Sequence, residues 1–237
     1  MKDLLELTYT LAGEHLSFAI DQLFKSQSLA VTPEHPWSRI EAHRCALSCV
    51  LHAYSGFDAA LNHVGYELFF NPYSIKYVPP EGRDLPLRRM VESWNATLPA
   101  MDKLGYILST ARAAVSARLE SELRELNNYR NWIVHGFSYR TTVLVAEQTD
   151  GTLREVDRED SVNWRSKFPN TKFHPVDHID DSDAVTALRI VLDCLRFMAI
   201  HVDHTVFWVN PLHKGPDYRI ITGEFDVAAY LAEHVGG

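Results

Sequence analysis

No run of 18 or more apolar residues occurs in the sequence, which excludes a helix long enough to cross a membrane. Cysteine is also scarce. The three present, Cys45, Cys49 and Cys194, cannot make a disulfide framework, and Cys45 and Cys49 stand one helical turn apart, as small core residues in a reducing cytosol would. The first residues lack the basic and then apolar pattern of a secretory signal, with Asp3 and Glu6 where such a signal carries no acid. Together these absences predict a cytoplasmic protein. Positive charge is in deficit: 23 Lys and Arg against 31 Asp and Glu give a net charge of −8. That argues against a general nucleic-acid coat, whose affinity comes from neutralised phosphates, but not against a local basic site. There is no internal repeat, no low-complexity tract and no His-Glu-x-x-His signature.

What is present is ordinary globular material, 46% hydrophobic and 23% charged over 237 residues. The length suits one domain over 1–237 with an insertion at about 138–180. Apolar periodicity predicts a first helix over 3–29, with Leu4, Leu7, Leu11, Phe18 and Leu23 inward, broken at Thr32-Pro33-Glu34-His35-Pro36. A second spans 37–70 and is rich in small residues, Ala42, Ala46, Ser48, Ala53, Ser55, Gly56, Ala59 and Ala60, which permit close packing inside the bundle or across a dimer seam. A third runs from about 85 to 98, is interrupted or kinked at Pro99 and continues to 110, and a fourth runs from 111 to 135. Thr141–Ala146 and Leu153–Val156, joined through Asp150-Gly151, read as a β-hairpin. A fifth helix follows the Asp181-Ser182 cap to about 206, with Val185, Leu188, Leu192, Leu195 and Ile200 buried. The tail adds a short strand at 218–222 and a helical turn at 225–234.

The end of the fourth helix carries the densest chemistry. Arg124, Asn127, Asn128, Asn131 and His135 recur at helical spacing as one polar stripe, opposite Leu119, Leu123, Leu126 and Ile133. Arg130 stands beside the stripe with a fork long enough to reach the volume of the His135 imidazole, and Gly136 is suited to end the helix. Arg83, Arg88, Arg89, Arg124, Arg130 and Arg140 make the middle of the chain its basic part.

Arg130-Asn131-Trp132-Ile133-Val134-His135 resembles the Arg-x4-6-His motif of HEPN domains, including the polar residue after the arginine. The resemblance covers the chain to about Gly136 and the helix after Ser182. It implies a mainly α, up-and-down bundle of about five helices, usually dimeric, in which paired motifs cut RNA without a metal or other cofactor. Arg130, Asn131 and His135 then correspond to the catalytic set. Asp58 on the second helix matches an acid often found there, although a helix-surface or Arg-paired carboxylate fits equally well. Arg124, Asn127 and Asn128 are the RNA-binding candidates. The tyrosine used to silence some HEPN toxins is replaced by Phe137, with Tyr139 two residues later, so that regulation is not carried over.

Phosphodiester cleavage by the ribose 2′-OH needs a base, an acid and positive charge on the phosphate. His135 fits proton transfer, and Arg130 offers a bidentate grip that lysine lacks. One imidazole is hard put to act as both acid and base in one step, and two motifs facing across a homodimer remove that difficulty. The expected function is therefore a metal-independent endoribonuclease in a toxin or defence setting, with an RNA substrate, a possible neutralising antitoxin or defence partner, and no membrane. A non-catalytic binding module for nucleotide, RNA or protein is the alternative. A polar helix end with Arg130 as a surface ion-pair partner accounts for the same spacing. The rival chemistry is a metal held by His174, Asp177 and His178 or by His201, His204 and His213, against which stand Pro175 and the abundance of histidine, twelve in all.

Overall fold

The computed structural model describes residues 11–29, 37–74, 77–94, 98–135, 141–160 and 171–202. It is mainly helical. The order is α1 (Ala12–Ser28), α2 (Trp37–Phe69), α3 (Leu85–Ser93), α4 (Ala100–Ala111), α5 (Ala117–His135), strands β1 (Thr141–Glu147) and β2 (Leu153–Asp160), and α6 (Asp181–His201). Short 3-10 turns lie at Pro80–Gly82 and Val176–His178. Leu4, Leu7, the Pro33–Pro36 break, Gly136, Phe137, Tyr139, Arg140, His204, His213 and the expected tail elements lie outside the described residues.

α2 is the central element. Free of proline over 33 residues, it extends about 50 Å and packs against α1, α4, α5 and α6. Its pairing with α1 is antiparallel, with His15 against His52 and Lys25 against Glu41. The small residues make this closeness possible. A Cβ at Gly56 would come within 2.8 Å of Leu16 Cγ and 3.2 Å of the Ala12 carbonyl oxygen. Ala46, Ala53, Gly56 and Ala60 are all buried within the chain, where their smallness serves packing on its own neighbours.

Of the two forms expected around Pro99, an interruption or a kink, the structure has the interruption, since α3 and α4 are separate and α3 already ends at Ser93. Asp84 caps α3 by accepting a hydrogen bond from Leu87 N at 2.9 Å, and α4 starts afresh after Pro99. The fourth expected helix also begins later, at Ala117. Arg112 takes a left-handed conformation (φ 51°) and ends α4, with Ala113 N donating to the Leu108 carbonyl. Three apolar positions expected to face the core are exposed instead: Leu11, Phe18 and Ile200, the last 67% accessible. The remaining core joins Leu16, Leu23, Val50, Phe57, Leu61, Ile107, Leu123, Leu126, Leu188 and Val191 in one cluster.

β1 and β2 pair antiparallel, Thr141 opposite Asp160, with an irregularity between Leu144 and Val145. Gly151 supplies the positive φ of the turn, where Asp150 Oδ1 accepts from both Thr152 N and Thr152 Oγ1. A capping box of Asp180 and Asp183 starts α6. No helix among the described residues is long and apolar enough to cross a membrane.

Candidate functional site on the α5 helix

A helix turns about 100° per residue, so residues five apart diverge by about 140°. Arg130 and His135 are five apart, and their burial agrees with that divergence: Arg130 is half-buried on the side facing α2, whereas His135 is exposed at the last position of α5. Arg130 stands beside the stripe that carries His135, and its guanidinium lies against the Tyr54 ring of α2. The polar residues split into two sets. Arg124, Asn128 and His135 are exposed, whereas Asn127, Arg130 and Asn131 are half-buried, the first two against Tyr54 of α2.

The outer set is loosely held. Arg124 grips Glu120 one turn earlier, Nη2 to Oε1 at 2.8 Å, which gives a surface i,i+4 pair of small energetic weight. The inner set is built. Tyr54 of α2, buried, donates its hydroxyl to Asn127 Oδ1 at 2.5 Å, and its ring lies 5.4 Å from the Arg130 guanidinium carbon. Arg130 Nη1 donates to Asn131 Oδ1 at 3.0 Å. Burial pushes the Tyr54 hydroxyl up to about 12, with Asp58 adding to the rise and Arg130 opposing it, so the group stays a donor at ordinary pH. Among the described residues no carboxylate pairs with Arg130.

Asp58 lies one turn beyond Tyr54 and is held by Lys103 Nζ of α4 at 2.8 Å. Lys103 has no exposed side-chain surface, so the ion pair is buried at its lysine end. Asp58 thus belongs to the neighbourhood of Arg130, and the ion-pair alternative for it holds, although its partner is a lysine rather than an arginine.

Sequence reasoning missed Tyr54 and Lys103. Tyr54 precedes Asp58 by four residues, and an aromatic and an acid at that spacing on one face is a signal that was available. It missed Glu122 as well, a buried carboxylate two turns before Arg130, where α5 meets α6. Glu122 receives Lys172 Nζ at 2.5 Å, Arg189 Nη2 at 3.2 Å and Arg189 Nη1 at 3.4 Å. Burial works against its charge, but these donors win and hold its carboxyl below the usual range. Beside it Tyr129 stacks on Phe173 at 4.4 Å and donates to the His174 carbonyl.

The metal alternative takes a different shape from the expected one. His174, Asp180 and Asp183 offer ligand atoms within 4.8 Å of one another. Those carboxylates already serve the start of α6: Asp183 accepts from His174 N and Asp180 N, and Asp180 accepts from Ser182 N and Oγ. His201 is exposed and packs its ring on Phe197. A cleft of about 940 Å³ opens beside this cap, bordered by Arg39, His43, His174, Asp177 and His178, and the α5 residues do not line it.

No family model, curated protein or solved structure matches the chain. The site's chemistry is the remaining guide to function.

Proposed function

We propose that the chain is a metal-independent endoribonuclease of HEPN type, a helical bundle with a hairpin insertion after the motif helix, acting in a toxin or defence setting. The observation that carries this reading is Arg130, a half-buried guanidinium held by a ring and an amide and lacking a carboxylate partner among the described residues. A cation fixed in this way is suited to phosphate oxygens. His135 supplies proton transfer at the adjoining helix end. One imidazole takes the 2′-OH proton as that oxygen attacks phosphorus, and a second protonates the departing 5′-oxygen. The products are a 2′,3′-cyclic phosphate and a 5′-hydroxyl. Two copies in a homodimer supply the two imidazoles, and a second copy can bring its His135 to the first copy's Arg130 despite their divergence within one helix.

The same divergence favours a second reading, an RNA- or nucleotide-binding module using the inner set alone, because such a module needs no nearby imidazole. Incubating RNA with the full chain separates the two. The nuclease reading requires cyclic-phosphate ends and survival of a substrate with deoxyribose at the cut. Intact RNA at all protein concentrations leaves the binding module.

A further inference from the structure

We propose that Tyr54 is a positioning residue for this site, holding Arg130 by its ring face and Asn127 by its hydroxyl so that the guanidinium is set in place before a phosphate arrives. Its effect on rate rests on the ribonuclease reading, whereas its geometry does not.

An arginine side chain has many rotamers, and a cation that grips an oxyanion pays for its ordering unless something has ordered it beforehand. Tyr54 does this from an independent element. The ring stands 5.4 Å from the guanidinium carbon, close enough for cation–π attraction and for restricting the plane of the fork. The hydroxyl fixes Asn127, and Asn131 fixes Nη1 of Arg130, so the inner set is braced at both ends. Tyr54 itself is well anchored. It is 6% exposed and meets Phe57 edge-on at 6.0 Å, and the next turn of α2 is tied to α4 through Asp58 and the buried Lys103. A tyrosine serving only the core would need its hydroxyl satisfied. It would not need a cation on its face.

The test uses the full chain labelled with ¹⁵N, reading the Arg130 Nε–Hε signal, which Arg130→Lys identifies by its loss. In the parent this signal should be shifted by the ring and restricted in motion. Tyr54→Phe keeps the ring, so the Arg130 signal should stay while the Asn127 side-chain amide moves. Tyr54→Leu should send the Arg130 signal to the position of a solvated arginine and lower kcat by about tenfold with KM little changed. Tyr54→Phe should restore most of that rate. An Arg130 signal at the solvated position in the parent, or one indifferent to Tyr54→Leu, overturns the proposal. If Tyr54→Leu does not fold, the parent signal and Tyr54→Phe decide, and an Asn127 amide unmoved by Tyr54→Phe is then the contrary result. Cleavage lost in Arg130→Lys but kept in folded Tyr54→Leu also overturns it while leaving the nuclease reading intact. The expected signals in a chain that cuts no RNA support the tyrosine's role and remove the nuclease.

Discussion

Two stretches of α5, around Glu122 and around Arg130, handle buried charge in opposite ways. On one, the Glu122 carboxylate is covered and answered by Lys172 and Arg189, with Arg118 a further 3.9 Å contact. On the other, the Arg130 guanidinium has an aromatic face and one amide oxygen, and no acid among the described residues. A charge removed from water is costly unless paired, so the first arrangement explains itself as architecture that joins α5 to α6 and the 171–175 segment. In the proposed function the second is the cation that grips a phosphate.

The largest effect separating the two stretches is expected at the helix end. His135→Ala should reduce RNA cleavage by about 10²- to 10⁴-fold, roughly 3–5 kcal/mol of barrier, and leave the unfolding midpoint unchanged because the side chain is exposed. Single-turnover cleavage and a denaturant titration on the same preparation check both halves. Leu126→Ala, at a fully buried position, should cost about 2–5 kcal/mol in the same titration. Ile133 is only half-buried, so Ile133→Ala should cost less, about 1–2 kcal/mol.

Glu122→Gln should lower stability by about 1.5–3 kcal/mol, since three charge-assisted hydrogen bonds lose their anion. Cleavage by the folded fraction should be unaltered. The sign of the pH effect follows from the lowered carboxyl: its contribution is complete above the ordinary glutamate range and is lost as pH falls through the lower folded value. Acid titration of parent and variant should therefore converge at low pH. Arg124→Ala is the smallest expected change, within about 0.5 kcal/mol, because its pair with Glu120 is exposed.

Much of this architecture could be read from the sequence, for reasons that differ by element. Proline and glycine punctuation located the ends of α2 and the turn of the hairpin, and the Asp181-Ser182 region marked the start of α6 within a residue or two. The end of α4 fell within a residue of the expected boundary, but the gap from Arg112 to Ser116 was hidden, because a non-glycine residue takes the left-handed conformation there. Phe18 and Ile200 misled because apolarity alone does not say which side of a helix has a neighbour. At the site, the spacing set Arg130 beside the stripe but did not say what its fork would meet. Only the tertiary contact with Tyr54, 76 positions earlier in the chain, reveals which way that side chain turns.

The most direct test of the central claim is cleavage of RNA by Arg130→Lys beside the parent, with thermal unfolding measured for both. The substitution keeps the charge and removes the fork. The account predicts unchanged stability and a loss of cleavage of at least about a hundredfold. Cleavage by Arg130→Lys within about threefold of the parent would mean that the guanidinium is not the phosphate grip, and would contradict the account.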